Sequence, residues 1–147
     1  MKTPLIILFC MSIMPLAAFH TENTGSLTVS ITNIRKSGRL HIGLYRKGEK
    51  FPDDSGRVMA KFSECSGDCA VRFESVPYGE YAIAIFQDVN ENNELDRGLF
   101  GIPSEPFAFS NNFRPKFGGP NFDDCRFTLT AASQEIKIEM INSLFGD

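Results

Sequence analysis

The chain has 147 residues, 42% of them hydrophobic and 22% charged, with a formal net charge of −3 at pH 7. That length suits one domain and not comfortably two. The mild acidity argues against nucleic acid, whose binders carry a clustered basic face. Tryptophan is absent, yet phenylalanine occurs 14 times, so material for a core is ample.

The chain opens on Lys2, an apolar run from Pro4 to Leu16, and then Ala17-Ala18. Charge, length and small-residue ending are those of a secretory signal peptide. Residues 1–19 are therefore expected to be cleaved off after Ala18 or Phe19, and Cys10 with them. The run is shorter than the roughly 20 apolar residues of a membrane span. The mature protein is expected to be exported, periplasmic or extracellular, with no transmembrane segment after cleavage.

Residues 26–141 read as one β-domain. Leu27, Val29 and Ile31 alternate with hydroxyl side chains, the pattern of a half-buried strand. Lys36-Ser37-Gly38 turns the chain, and Leu40, Ile42 and Leu44 repeat the pattern, which predicts a hairpin. Arg39, His41 and Tyr45 fall on its polar face, where His41 reads as a surface histidine. Phe51 to Gly56 is turn-rich and carries Asp53 and Asp54. Val58, Ala60 and Phe62 predict a third strand, Val71 and Phe73 a fourth.

Between these strands, Cys65 and Cys69 flank Ser66-Gly67-Asp68, the composition of a three-residue hairpin turn. Residues opposite each other across such a turn come within disulfide reach. A zinc site is the rival, but it needs four N or S ligands, and only Cys125, His20 and His41 remain. Cys125 shares its parity with Phe127 and Leu129 and reads as a buried thiol.

Val76-Pro77-Tyr78-Gly79 is a tight turn into Glu80–Gln87, apolar or small on both faces. A strand wet on neither side belongs near the middle of a sheet. Next comes Asp88-Val89-Asn90-Glu91-Asn92-Asn93-Glu94-Leu95-Asp96, with oxygen-bearing side chains at Asp88, Asn90, Asn92, Glu94 and Asp96. Ca²⁺ takes about six to eight oxygens, and alternate Asp and Asn on a curling loop supply four or five. A solvated turn would also use Asn. In the register of an EF-hand loop, position 6 is Asn93, which tolerates a left-handed backbone. Position 12 is Leu99, so a carboxylate is missing. Asp53, Asp54, Asp123 and Asp124 are the candidate outside ligands. The flanks are strand before and Gly-Pro-containing chain after, so this is no EF-hand.

From Asp88 to Asp124 no strand is predicted, although Phe100, Phe107, Phe109, Phe113, Phe117 and Phe122 are spread through it. Linkers do not carry six phenylalanines. The segment reads as a compact loop packing its rings over an open end of the sheets. The alternative is a ligand surface using Phe109, Asn111, Asn112, Arg114, Lys116 and Phe117. Phe127–Leu129 and Ile136–Met140 end the chain. About seven short strands and no helical period argue an all-β, single-domain antiparallel sandwich, transthyretin-like or Ig-like.

Three blocks then carry a resemblance: Gly38 to Tyr45, Val76 to Asn90, and Phe100-Gly101-Ile102-Pro103 through Ala108-Phe109-Ser110-Asn111-Asn112 with Phe117-Gly118. In that order they resemble the exported bacterial family catalogued as domain of unknown function 2141. The Pro-x-Gly-x-Tyr turn is also similar to transthyretin-like and collagen-adhesin B-type sandwiches. The chain departs from the family pattern at Asn92-Asn93, where a Gly commonly helps the turn, and in carrying Cys65, Cys69 and Cys125. The resemblance implies an exported sandwich and supplies no activity.

The expected function is a non-enzymatic module in which Ca²⁺ orders the long loop, and the loop contacts a cell-envelope protein or glycan. A hydrolase using paired carboxylates is the alternative, although the sequence has no Gly-x-Ser-x-Gly elbow, His-Glu-x-x-His pair or phosphate loop. A purely structural domain without metal is the third reading.

Overall fold

The computed structural model describes residues 23–116 and 118–144, so the expected signal peptide and Phe117 lie outside the described residues. Two sheets face each other in an all-β sandwich. The smaller has the order β4-β1-β8, from β1 (Thr24–Thr32), β4 (Cys69–Pro77) and β8 (Ser133–Glu139). The larger has the order β3-β2-β5-β6, from β3 (Arg57–Glu64), β2 (Arg39–Arg46), β5 (Gly79–Asp88) and β6 (Phe107–Phe109). A further strand, β7 (Phe127–Leu129), extends the β6 edge of β5. All pairings are antiparallel except β1 with β8.

Alternation places the core. Leu27, Val29 and Ile31 of β1 meet Leu40, Ile42 and Leu44 of β2 and Tyr81, Ile83 and Ile85 of β5, with Phe73 and Ile138 completing the interior. Fully burying one such side chain is worth about 1.5–3 kcal/mol, so this interior dominates folding. As the two apolar faces of β5 require, that strand sits between β2 on one side and β6 and β7 on the other.

Two predicted hairpins are crossovers instead. The first two strands do not pair: β1 lies in the smaller sheet and β2 in the larger. Nor do β3 and β4 pair, so Cys65 to Cys69 is the corner where the chain changes sheets. Their disulfide forms nonetheless, across a Cα separation of 6.4 Å. Alternation cannot distinguish a hairpin from a change of sheet, because both keep the apolar side inward.

The Phe-rich stretch holds β6, which the sequence reading missed, making eight strands among the described residues. It covers the outer face of the larger sheet, not an open end. Phe107, Phe109, Cys125 and Ile141 form a second core with Ala82, against which Phe51, Ala84, Phe86, Phe113 and Phe122 pack. Ser110 pins this layer to β5. Its hydroxyl accepts from the Ile83 N–H at 2.8 Å and donates to the Cys125 carbonyl. It thereby fills the gap in the β5 ladder between the β6 pairing, which ends at Ala84, and the β7 pairing, which begins at Tyr81.

Candidate functional site

The end of β5 organises the site. Asp88 is its last residue, 1% exposed, and its carboxylate caps the loop that follows. Oδ1 accepts from the Asn92 N–H at 3.2 Å and Oδ2 from the Asn93 N–H at 2.8 Å. This closure needs a left-handed backbone at Glu91 (φ 63°) and Asn93 (φ 64°), and asparagine enters that region more readily than most residues. Across the loop, Asp96 accepts from the side-chain amides of Asn90 at 2.6 Å and Asn92 at 2.9 Å. Four of the five predicted ligands, Asp88, Asn90, Asn92 and Asp96, thus converge. Glu94 joins through its N–H, given to Asn92 Oδ1 at 2.9 Å, and its side chain is exposed. Among the described residues no group of three or more His, Cys, Asp and Glu is arranged to hold a metal. The donor set is amide-rich: two aspartates and two asparagines, whose amides offer an oxygen or a nitrogen according to a half-turn.

A carboxylate missing from the loop itself is brought to its base by Glu105, which is 7% exposed. Oε1 accepts from the Val89 N–H at 2.7 Å and Oε2 from the Asp96 N–H at 3.1 Å. The surrounding strap is zipped to both ends of the loop: Ser104 N–H donates to the Asp96 carbonyl, and Gln87 N–H to the Pro106 carbonyl. One side chain therefore clamps both ends of the loop through charge-assisted bonds.

His41 is not a surface residue. It is 5% exposed, stacked on Phe86 with centroids 4.4 Å apart and edge-on to Phe62 at 4.9 Å. Its Nε2 lies 3.7 Å from Asp88 Oδ2, beyond hydrogen-bond range, and has no partner. Burial holds its pKa below the ordinary value, against the opposing pull of the Asp88 carboxylate. The ring is therefore neutral at pH 7.

Beside these groups opens a cavity of about 950 Å³, floored by His41, Gly43, Tyr45, Ala84 and Phe86 of the larger sheet with Phe107 and Phe109. The Arg57 and Tyr45 side chains lie across Gly43, where a Cβ would collide with both. Tyr45 donates its hydroxyl to the Pro52 carbonyl, and burial pushes its pKa up to about 12. One wall is the loop, through Asn93, Glu94 and Leu95. Another is Asp53, Asp54 and Arg57, and a third is Pro115, Lys116, Gly118, Gly119 and Pro120. Over the rim stands a flap, bridged at Arg97 and Pro103 and closed by Gly98 N–H to the Ile102 carbonyl at 2.7 Å. Its tip carries Leu99 and Phe100, 83% and 97% exposed, with Phe100 at φ 62°.

Residues 29–137 match a family described as uncharacterized protein conserved in bacteria (DUF2141). The chain belongs to this family. The DUF2141 match begins inside β1 and ends inside β8, so it spans both sheets, the loop and the cavity. No curated protein and no solved structure matches the chain.

The other candidates in this DUF2141 chain scatter. Asp53 and Asp54 border the cavity opposite the loop; Asp53 is held by Ser55 and Asp54 by Arg57 at 2.9 Å. Asp123 and Asp124 lie in a single-turn helix, α1 (Phe122–Cys125), capped by Asn121, and neither borders the cavity. None of these four supplies what Glu105 does. Of the aromatic and amide candidates, Phe109 is buried in the cavity floor. Asn111 and Asn112 are turned to backbone, Asn111 donating to the Arg126 carbonyl at 2.7 Å and Asn112 accepting from the Glu139 N–H at 2.8 Å. Arg114 is exposed and away from the cavity lining. Among the described residues no helix is long and apolar enough to cross a membrane.

Sequence reasoning missed Glu105 and misjudged His41. A lone carboxylate in the apolar stretch Pro103 to Phe109 was the available signal for the first. For the second it was Phe62 and Phe86, aromatic residues on the strands that pair with β2 on either side of His41.

Proposed function

We propose that the chain is a non-enzymatic, exported binding module. Ca²⁺, held by Asp88, Asn90, Asn92, Glu94 and Asp96, orders the loop, and the surface the loop borders contacts a cell-envelope component, a glycan or a protein. The observation that carries this reading is that the Asp88–Asp96 loop is itself a wall of the cavity. Order in the loop is therefore order in the binding surface. The donor set supports the cation. Asp88 and Asp96 keep spare lone pairs, and the Asn90 and Asn92 Oδ1 atoms, each accepting a backbone N–H, keep a second lone pair for the ion. The ion supplies charge that draws these oxygens together, and the chain's own hydrogen bonds through Glu105 hold the frame around them.

With two carboxylates among the converging groups, affinity falls in the weak extracellular range of about 10⁻⁴–10⁻³ M. A tenfold to hundredfold excess of Ca²⁺ then stabilises the fold by about 1.4–2.7 kcal/mol. The test is the melting temperature of the mature protein in EDTA and in millimolar Ca²⁺. A rise of several degrees is expected, absent in Asp88→Ala and in the milder Asp96→Asn. Identical melting curves in the two buffers would overturn the cation's role.

A further inference from the structure

We propose that the cavity on the outer face of the larger sheet is a site for a neutral oligosaccharide, stacked on Phe100 and hydrogen-bonded by Glu94 and Lys116. This deepens the binding-module reading and rests on it for the location of the site, but not on the cation.

Size is the first argument. A volume of about 950 Å³ stands near the top of the roughly 300–1,000 Å³ range of small-molecule pockets, roomy enough for more than one sugar ring. Charge is the second. The lining carries three acidic groups, Asp53, Asp54 and Glu94, and three basic ones, Arg57, Arg97 and Lys116. Equal numbers leave no net field to recruit an anion or a cation. An apolar occupant would strip water from the Glu94 carboxylate and the Lys116 ammonium, neither of which has a hydrogen-bond or ion-pair partner among the described residues, at uncompensated cost. A saccharide meets both demands. Its ring offers an apolar C–H face, and its hydroxyls both donate and accept, satisfying an ammonium and a carboxylate alike.

The third argument is Phe100. A bulky residue at φ 62° and 97% exposed holds a strained backbone and gains nothing from burial. The flap's own hydrogen bonds and the Arg97 guanidinium, which donates to the Gly101 carbonyl at 3.0 Å, hold it there. An open aromatic face so held, lining a cavity with an aromatic floor and a polar rim, is a stacking platform.

The test is binding of the mature protein to an array of neutral, anionic and cationic di- to tetrasaccharides, with calorimetric titration of any glycan retained and of palmitate as the apolar probe. A neutral oligosaccharide is expected to bind, with Phe100→Ala weakening it at least tenfold and Arg72→Ala, on the opposite sheet, leaving it unchanged. Phe100 is too exposed for its truncation to unfold the domain. Retention of charged glycans alone, binding of palmitate alone, or neutral binding indifferent to Phe100→Ala would each overturn the proposal. Titrating in EDTA and in Ca²⁺ separates the two readings. Saccharide binding in EDTA with identical melting curves in the two buffers upholds the site and removes the cation's role, whereas a Ca²⁺-dependent melting shift with no saccharide bound upholds the cation and overturns the site.

Discussion

Replacing Glu105 by glutamine changes one oxygen for an NH₂ group and removes one charge at the base of the loop. In the wild type, both carboxylate oxygens accept backbone N–H groups, Val89 at 2.7 Å and Asp96 at 3.1 Å, in a site only 7% exposed. Glutamine keeps one of these bonds as a neutral pair and sets its NH₂ against the other N–H, donor facing donor. Losing a hydrogen bond to a charged group costs about 1.5–3 kcal/mol, and the surviving bond falls to about half its strength. The sum is about 2–4 kcal/mol. If the loop melts with the domain, that lowers Tm by roughly 8–16 °C for a chain of this size. If it opens alone, the global Tm moves less and amide exchange reports the loss instead. Protection at Val89 and Asp96 then drops about 30-fold or more, since 1.4 kcal/mol is tenfold. Both measurements belong in EDTA, so that any cation effect is separate. Glu105→Gln melting within about 1 °C of wild type, with Val89 and Asp96 exchange unchanged, would refute the clamp.

His41 makes the fold acid-sensitive. Burial lowers its folded-state pKa below that of the unfolded chain, so the unfolded state binds the proton more readily. Its contribution is fully present above the ordinary histidine value of about 6.5 and is lost as pH falls from there towards the folded pKa. Urea midpoints should fall over that window in wild type and stay flat in His41→Phe; the same slope in both would remove His41 as the cause. Reducing the Cys65–Cys69 disulfide, or replacing both cysteines by serine, should cost about 2 kcal/mol, the chain-entropy value for so short a loop. An unchanged denaturation midpoint would show that the corner between the sheets is held by packing alone.

Period-two alternation in β1 and β2, with the two apolar faces of β5, was enough to infer strands, their buried faces and a sandwich, because which side of the pleat a residue occupies is a local consequence of chain geometry. The spacing from Asp88 to Asp96 likewise made the loop legible, and Asn93 takes the left-handed backbone its identity allows. Export, by contrast, was read from residues 1–19 alone.

Tertiary structure decided what local pattern cannot carry. Which strands pair was one such matter: β1 and β2 look like a hairpin and sit in opposite sheets, since sheet membership depends on partners far along the chain. The fate of the polar face of β2 was another. His41 is buried against Phe62 and Phe86 of the two neighbouring strands, and Tyr45 against Phe51, rings that only the strand pairing and the folded turn bring onto that face. Glu105 belongs to the same class. Nothing in its neighbours marks it, and it gains its role by lying against both ends of a loop that begins at Asp88. The amino-acid sequence determined the elements and the chemistry of the loop, because those follow from each residue's own geometry and polarity. The cavity and its clamp came only with the fold, because they are made by residues that meet across it.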